Sequence, residues 1–413
     1  MWTILLATLL AQTPDVTGHN VTAQGVMAQG LKAMEDRQYD AAAALFTQAV
    51  AANPQDYAAH FNLALAYSLA GKDEQAIPEY KTVLELQPGL YQAQVNVGIS
   101  LLAMKDAATA IPYLQQAAAQ RPSEFRPAFY LGEALLNASR FTEALPAFTN
   151  AVTLDANSAA AELGLGRAMA RGGARKTAEP HYRRAAAIDP SYKEYLMELA
   201  SYYEDNQERA EAIALYHEFP DNPGGLERMG VLMLETGDTA GAIRALEGAV
   251  GKSPTPANRV ALAQAYLKNK QPGWAEPQVA KALEASPQDG ELRMFYGRLL
   301  RDQNKLNDAA REFSTVAAQQ PDNVMAWSEL AGVQVSTEQY QQALGTLDHV
   351  RALHAETAGH LFLRAVVLEH LRLRKEAVEA YNQFLSASSG KNPDQEFQAR
   401  QRVRILETEL GKR

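Results

Sequence analysis

Between Tyr57 and Leu90, apolar residues recur at helical spacing in two short runs that Gly71 separates and that Pro88 and Gly89 close. This pattern predicts two antiparallel helices joined by a tight turn. Neither helix can bury its apolar stripe alone, so the pair needs neighbours of the same kind. The rest of the chain supplies these neighbours by repeating the unit.

Each predicted pair carries a small residue in the middle of its first helix and another twelve positions later, in its second helix. The first set is Gly30, Ala64, Gly98, Gly132, Gly166, Ala200, Gly230, Ala263, Gly297, Ala331 and Ala365. The second set is Ala42, Ala76, Ala110, Ala144, Ala178, Ala212, Ala242, Ala275, Ala309, Ala343 and Ala377. Successive members lie 34 residues apart except for one step of 30 and one of 33. Helices whose axes come within about 8–10 Å need small side chains at the contact, so this register predicts eleven closely packed pairs.

Four residues after each second small residue, the chain has a large one that we expect to fill the space between one unit and the next. These residues are Phe46, Tyr80, Leu114, Phe148, Tyr182, Tyr216, Leu246, Val279, Phe313, Leu347 and Tyr381. A proline follows seven of the second helices, where its missing N–H favours a helix end. These prolines are Pro54, Pro88, Pro122, Pro190, Pro254, Pro287 and Pro321.

This register resembles the tetratricopeptide repeat, which has a period of 34 with small residues at positions 8 and 20, an aromatic at 24 and proline near 32. Tyr67, Tyr203, Tyr266 and Trp327 match its aromatic positions in the first helix. The resemblance covers about residues 23–391. It implies an all-α, right-handed superhelical solenoid of helix-turn-helix repeats, whose first helices line a concave groove.

Three features depart from a uniform array. The sixth unit is four residues short. This shortening could form a hinge, or it could be a shorter turn without consequence, and we favour the second interpretation. Five second helices carry a proline two positions after the small residue, and we expect it near the helix start: Pro78, Pro112, Pro146, Pro180 and Pro277. After a loop at 386–393, residues 395–410 are predicted to form a capping helix, whose apolar residues are Phe397, Val403, Ile405 and Leu406.

The resulting organisation is a signal segment at 1–11, a linker at 12–22, repeats 1–6 at 23–222, repeats 7–11 at 223–391 and a cap at 392–413. The run from Trp2 to Ala11 has the length of a signal-peptide core and is too short to span a membrane. It lacks a basic start, since the first basic residue is Lys32. We expect export to the periplasm or cell exterior, with membrane contact only through this segment. A cytoplasmic protein with an apolar tail packed on the first repeat, or an uncleaved anchor, is the alternative.

Composition excludes several kinds of chemistry. The chain has no cysteine, which rules out disulfides, thiolate metal sites and a cysteine nucleophile. A net charge of −9 argues against general nucleic-acid binding. The run from Glu247 to Ser253 ends like a phosphate-binding loop, but Leu246 stands where the first glycine belongs. The eight histidines show no metal-ligand spacing. We therefore expect no cofactor, no metal and no catalytic residue, and a protein that is not an enzyme.

What remains is the groove that the resemblance implies. Its early part is predicted to be apolar with spaced amides, which suits an extended peptide or a helix. The candidate residues are Met27, Leu31, Phe61, Asn62, Leu65, Val95, Asn96, Ile99, Arg126, Phe129 and Tyr130. Later first helices carry charges instead, such as Arg167, Glu198, Arg298 and Glu329. The alternative, weighed equally, is that several of the apolar residues are core.

The leading hypothesis is a non-catalytic scaffold or adaptor that binds a protein or peptide partner in this groove, in a bacterial cell envelope. Some tetratricopeptide domains clamp a C-terminal carboxylate with a set of five residues. This chain matches only two of those five positions, with Asn96 and Arg126, so such a clamp is not indicated. One alternative is an accessory subunit of an enzyme, secretion or glycosyl-transfer complex. Another is a structural spacer that associates with itself.

Overall fold

A computed structural model describes residues 21–411, with side chains from residue 25 onward. Within this range the chain contains helices, turns and no strand. The proposed signal segment at 1–11 and most of the linker at 12–22 lie outside the described residues. None of the helices within 21–411 is both long and apolar enough to cross a membrane.

Eleven helix pairs follow one another, each made of a first helix and a second helix. The first helices are α1 (Val21–Glu35), α3 (Tyr57–Leu69), α5 (Tyr91–Ala103), α7 (Phe125–Asn137), α9 (Ala159–Arg171), α11 (Tyr195–Asp205), α13 (Pro223–Thr236), α15 (Pro256–Lys268), α17 (Gly290–Asp302), α19 (Val324–Ser336) and α21 (Ala358–His370). The second helices are α2 (Tyr39–Ala52), α4 (Asp73–Leu86), α6 (Ala107–Gln120), α8 (Phe141–Leu154), α10 (Arg175–Ile188), α12 (Arg209–Tyr216), α14 (Thr239–Lys252), α16 (Pro272–Ala285), α18 (Leu306–Gln319), α20 (Tyr340–Ala352) and α22 (Arg374–Ser388). The last helix, α23 (Pro393–Gly411), packs on α22.

The chain divides into two compact units between Leu215 and Tyr216. The first unit holds α1 to α11 and nearly all of α12, and the second holds α13 to α23. In each unit, substantial contacts join helices that are one or two apart along the chain. Each unit is therefore a stack of hairpins in which the core is shared between sequence neighbours.

The predicted small and large positions are confirmed. All eleven second-helix alanines are fully buried, and all eleven large residues are at most 2% exposed. The large residue does more than separate the units, because it faces the small residue of its own first helix. A methyl group built on Gly132 would come within 2.8 Å of the Phe148 ring, and one on Gly98 within 2.5 Å of Leu114.

The predicted helix ends are also confirmed. Each of the seven closing prolines comes two residues after the last residue of a second helix. The residue before the proline is extended, as at Asn53 with φ −144° and ψ 91°, because a following proline disfavours helical backbone. The fourth pair ends in the same way at Asp155 without a proline, so the proline favours this ending without being essential to it.

The prolines inside the second helices differ from expectation. In α4, α6, α8, α10 and α16 the proline is the sixth helical residue, which is past the first turn. The turn between helices is short, so the second helix begins earlier than its composition suggests. Each of these prolines therefore removes one N–H that would otherwise bond within the helix.

The sixth pair and the C-terminal helix also depart from the pattern. A 3₁₀ helix at Pro190–Glu194 precedes α11, and α12 has only eight residues. In α23 the buried face consists of Glu396, Ala399 and Leu406, with Val403 partly buried. Two residues predicted for this face are instead 63% and 43% exposed, namely Phe397 and Ile405. They lie about 100° around the helix from the residues that contact α22.

Candidate binding groove

The candidate groove residues lie on α1, α3, α5 and α7, four first helices of the first unit. The structure divides the eleven residues into two sets. Phe61, Asn62, Leu65, Val95 and Asn96 are buried, with between 2% and 8% of their surface exposed. Met27, Leu31, Ile99, Arg126, Phe129 and Tyr130 are partly exposed. The buried five form the floor of the candidate site, and the partly exposed six are its accessible surface.

The apolar residues of the floor, Phe61, Leu65 and Val95, belong to buried hydrophobic clusters that neighbouring helices share. Phe61 meets the ring of Tyr80 edge-on, with ring centroids 5.9 Å apart. The Asn62 amide donates to the carbonyl of Ala58 in its own helix at 2.8 Å. Their burial favours the interpretation of Phe61, Leu65 and Val95 as core, so less of this face is open than the sequence indicates.

The accessible part is a cluster of rings on α7. Phe129 stacks on Phe125 with centroids 5.4 Å apart, and it meets Tyr130 at 5.2 Å and Phe148 at 6.1 Å. Phe148 is fully buried, whereas Phe125, Phe129 and Tyr130 are partly exposed. The cluster is an apolar surface anchored to the core of the fourth pair.

Two buried polar atoms in this region lack a hydrogen-bond partner among the described residues, namely Asn62 Oδ1 and Arg126 Nε. The same is true of a nitrogen on each of Arg293 and Arg364, but those two side chains form ion pairs through other nitrogens. Burial raises the pKa of Tyr80 above its usual range, and neighbouring Ser68, Asn96 and Arg126 oppose that rise. An unpaired polar group in a protein interior is costly, so these two atoms, Asn62 Oδ1 and Arg126 Nε, are places where a further hydrogen-bond partner, water included, would be stabilising.

Arg126 combines this property with partial exposure. Among the described residues, no carboxylate lies within the 4.0 Å ion-pairing distance of its guanidinium. Most other arginines on the first helices do have such a partner, for example Arg167 with Glu198 and Arg298 with Glu329. Arg126 is therefore a cation beside an aromatic cluster with capacity to bind an acceptor.

The charged end of the first unit is arranged differently. Arg167 Nη2 lies 2.5 Å from Glu198 Oε2, and Glu198 Oε1 accepts bonds from Tyr182 at 3.1 Å and Tyr202 at 3.2 Å. Arg171 donates to the Tyr202 hydroxyl at 2.7 Å. These charges, which the sequence suggested as open groove surface, bind one another between successive first helices.

Glu133 lies between the two parts of the site. Burial raises the pKa of its carboxyl, and the positive charges of Arg167 and Arg171 oppose that rise. The unpaired buried polar atoms of this face lie on α3 and α7.

Groups of three or more histidine and acidic side chains suited to a metal ion do not occur within the described part of the chain. The fragment of a phosphate-binding loop, 247–253, lies at the C-terminal end of α14 and continues helix to Lys252. Gly164 and Gly166, which resemble part of a dinucleotide motif, face the rings of Phe148 and Tyr182. Both motifs are explained by helix packing.

Comparisons with known proteins agree on the fold. Family models described as tetratricopeptide repeat match residues 27–91, 98–161, 131–193 and 227–290, and a second such model matches 300–365. A search of curated proteins found no match.

Solved structures with a similar fold include MamA from Desulfovibrio magneticus RS-1 and YrrB. The MamA structure is 21% identical with a TM-score of 0.40, covering 42% of this chain and 98% of its own. YrrB, described as a TPR protein with an unusual peptide-binding site, is 20% identical with a TM-score of 0.38, covering 40% of this chain and 85% of its own. Because the family models match more than half of the residues, in the register that the small and large side chains set, the chain belongs to the tetratricopeptide repeat family.

Proposed function

We propose that this protein is a non-catalytic scaffold that holds a segment of a protein partner against α3, α5 and α7 of its first unit. Membership of the tetratricopeptide repeat family supports a role in protein interaction. The observation that carries the proposal is Arg126, a partly exposed cation without a carboxylate partner beside the rings of Phe129 and Tyr130.

The chemistry of the site fits an extended polypeptide. Apolar side chains of the segment would cover Phe129 and Tyr130, and a carbonyl or carboxylate oxygen would accept a bond from Arg126. The paired network around Glu198 offers no comparable capacity and bounds the site on one side.

The experiment places a photo-crosslinking phenylalanine analogue at Tyr130 in the full chain, in the cells that make it. Tyr113 on α6, which is also partly buried, takes the same analogue as the matched control. We expect a discrete heterologous protein to be crosslinked at position 130 and absent at 113. The substitution R126Q should remove most of that product, whereas R140Q, which breaks an exposed pair with Glu143, should not.

The outcomes separate the candidate roles. Crosslinks to further copies of the chain alone would favour the self-associating spacer. A catalytic subunit as the crosslinked partner would favour the accessory role. No product at position 130, or one that survives R126Q, would contradict the groove proposal.

We further propose that the mature protein is exported, on the strength of the apolar run from Trp2 to Ala11. N-terminal sequencing of the protein recovered in the same experiment tests this. A first residue near Gln12 supports export, and an intact Met1 opposes cleavage.

A further inference from the structure

A cleft of about 340 Å³ opens in the second unit, where α14 meets the turn between α15 and α16. Its walls include Ile243 and Glu247 of α14, Tyr266 of α15, Asn269 and Gln271 of the turn, and Trp274 of α16. It is separate from the groove residues, all of which belong to the first unit. Its size is at the lower end of the range for ligand pockets.

Trp274 is the unusual residue in this cleft. It is 64% exposed, and it occupies the position immediately before the small residue of a second helix. In the other ten pairs that position is polar, alanine or glycine: Ala41, Gln75, Thr109, Glu143, Thr177, Glu211, Gly241, Asp308, Gln342 and Glu376. The repeat therefore does not require a large apolar residue at this position, and the indole adds an open aromatic face to the wall of the cleft.

The indole is held in place by Tyr266. The two rings lie with their centroids 6.2 Å apart and their planes at 30°. Tyr266 donates its hydroxyl proton to Glu247 Oε1 at 2.6 Å. Burial and the neighbouring Glu247 charge raise the pKa of Tyr266 to about 12, so this donor is present throughout the physiological range.

Glu247 is exposed and has no cationic partner within ion-pairing distance among the described residues. Its second oxygen, Oε2, makes no bond to the described part of the chain. Asn269 donates to Gln271 Oε1 at 3.0 Å, which leaves the Asn269 side-chain oxygen as a further acceptor. The cleft thus combines an open indole face with a carboxylate and an amide oxygen, all of them acceptors.

We propose that this cleft binds the side chain of an arginine presented by a protein partner. A guanidinium is planar, stacks on an indole, and carries N–H groups that match a carboxylate in pairs. A cation would gain an ion pair with Glu247 that a neutral sugar on the same ring would not, and this difference favours a guanidinium. The partly buried Ile243 provides apolar surface for the aliphatic stem.

The test uses the full chain labelled with ¹⁵N at its indoles. The three tryptophans give three indole N–H signals, and W274F identifies the one from Trp274. The probe is N-acetyl-arginine amide, with N-acetyl-citrulline amide as the uncharged analogue and N-acetylglucosamine as the sugar. We expect the Trp274 signal to shift saturably with the arginine probe, while the Trp327 signal, whose ring is packed on His349, stays unchanged.

The substitution E247Q should weaken the response about fivefold, a loss at the upper end of the range expected for one exposed ion pair, because the cation–π contact with Trp274 remains. Q342A, which changes the register-equivalent of Trp274 in the tenth pair, is the matched control and should leave the response unchanged. Retention of the other indole signals shows that each variant is folded.

Three results would overturn the proposal: no shift of Trp274, an equal shift with citrulline, or full binding by E247Q. Saturable binding of the sugar without binding of the arginine probe would also overturn it and would assign the cleft to carbohydrate. None of these results depends on the groove of the first unit.

Discussion

At the scale of single residues, the fold depends on a small residue facing a large one within each pair. Gly132 lies against three carbons of the Phe148 ring, each 2.8 Å from where a methyl group would be. Phe148 is fully buried and also contacts Phe129, so it cannot move aside without disturbing the core. In the second pair Ala64 and Tyr80 occupy the equivalent positions, and both are fully buried.

The substitution G132A should therefore destabilise the first unit. Overpacking of this kind costs about 1–3 kcal/mol, which exceeds the gain of up to about 1 kcal/mol from replacing glycine by alanine in a helix. Urea unfolding followed by circular dichroism measures the change as a lower midpoint.

Gly345 in α20 is the matched control. A methyl group there would meet no atom within 4 Å, so G345A should leave the midpoint unchanged or raise it slightly. Equal behaviour of the two variants would show that the spacing at Gly132 has room for a methyl group.

These single positions also show what the sequence can and cannot predict. Gly132 and Phe148 were predictable because a packing rule repeats eleven times in a fixed register. The floor of the groove was not, since Phe61 and Val95 have the same helical spacing whether they face a ligand or the next helix. The pairing of Arg167 with Glu198 was also missed, although their separation of 31 residues recurs between Arg298 and Glu329.

At the scale of elements, the turn inside each pair is the recurring constraint. One residue in each turn has a positive φ, and the position is only sometimes glycine. Gly71 has φ 73°, whereas Ser139 has φ 59° at the equivalent place in the fourth pair. Left-handed backbone at a residue other than glycine costs about 1–2 kcal/mol.

Exchanging the two residue types should therefore have opposite effects. S139G should raise the unfolding midpoint, because relief of the backbone strain exceeds the entropy cost of glycine. The net gain in the free energy of unfolding should be up to about 1 kcal/mol. G71S should lower the midpoint, because no atom lies within 4 Å of a methyl group built there and backbone strain alone acts. Urea unfolding of both variants is the measurement, and changes of the same sign would contradict the interpretation.

The last helix shows why element positions are easier to predict than element faces. Its range was anticipated within a few residues, but Phe397 and Ile405 point away from α22. The buried Glu396 fixes the rotation instead, since its Oε1 accepts bonds from Ser388 and from the Gly390 N–H, each at 2.6 Å. Apolarity alone marks Phe397 as core, and only the three-dimensional contact with α22 shows that a carboxylate takes that place.

At the scale of the whole molecule, the contacts are nearly one-dimensional. Substantial contacts within each unit reach only the next helix or the one after it. Stability in such an array is close to a sum of the intrinsic stability of each pair and the interfaces between neighbours. A local defect should therefore remain local, in contrast to a globular domain with one shared core.

Hydrogen exchange measured by mass spectrometry can test this in each unit separately. G132A should speed amide exchange in α6 to α9 and leave α1 and α2 near the wild-type rate, because only neighbouring interfaces share the defect. G297A, where a methyl group would lie 2.6 Å from Phe313, should likewise act on α16 to α19 and spare α22 and α23. A uniform rise in exchange throughout a unit would mean that the unit unfolds as one cooperative body. In that case a partner bound at Arg126 would stabilise every pair of the first unit. If defects stay local instead, the same partner would protect only α3 to α8 from exchange.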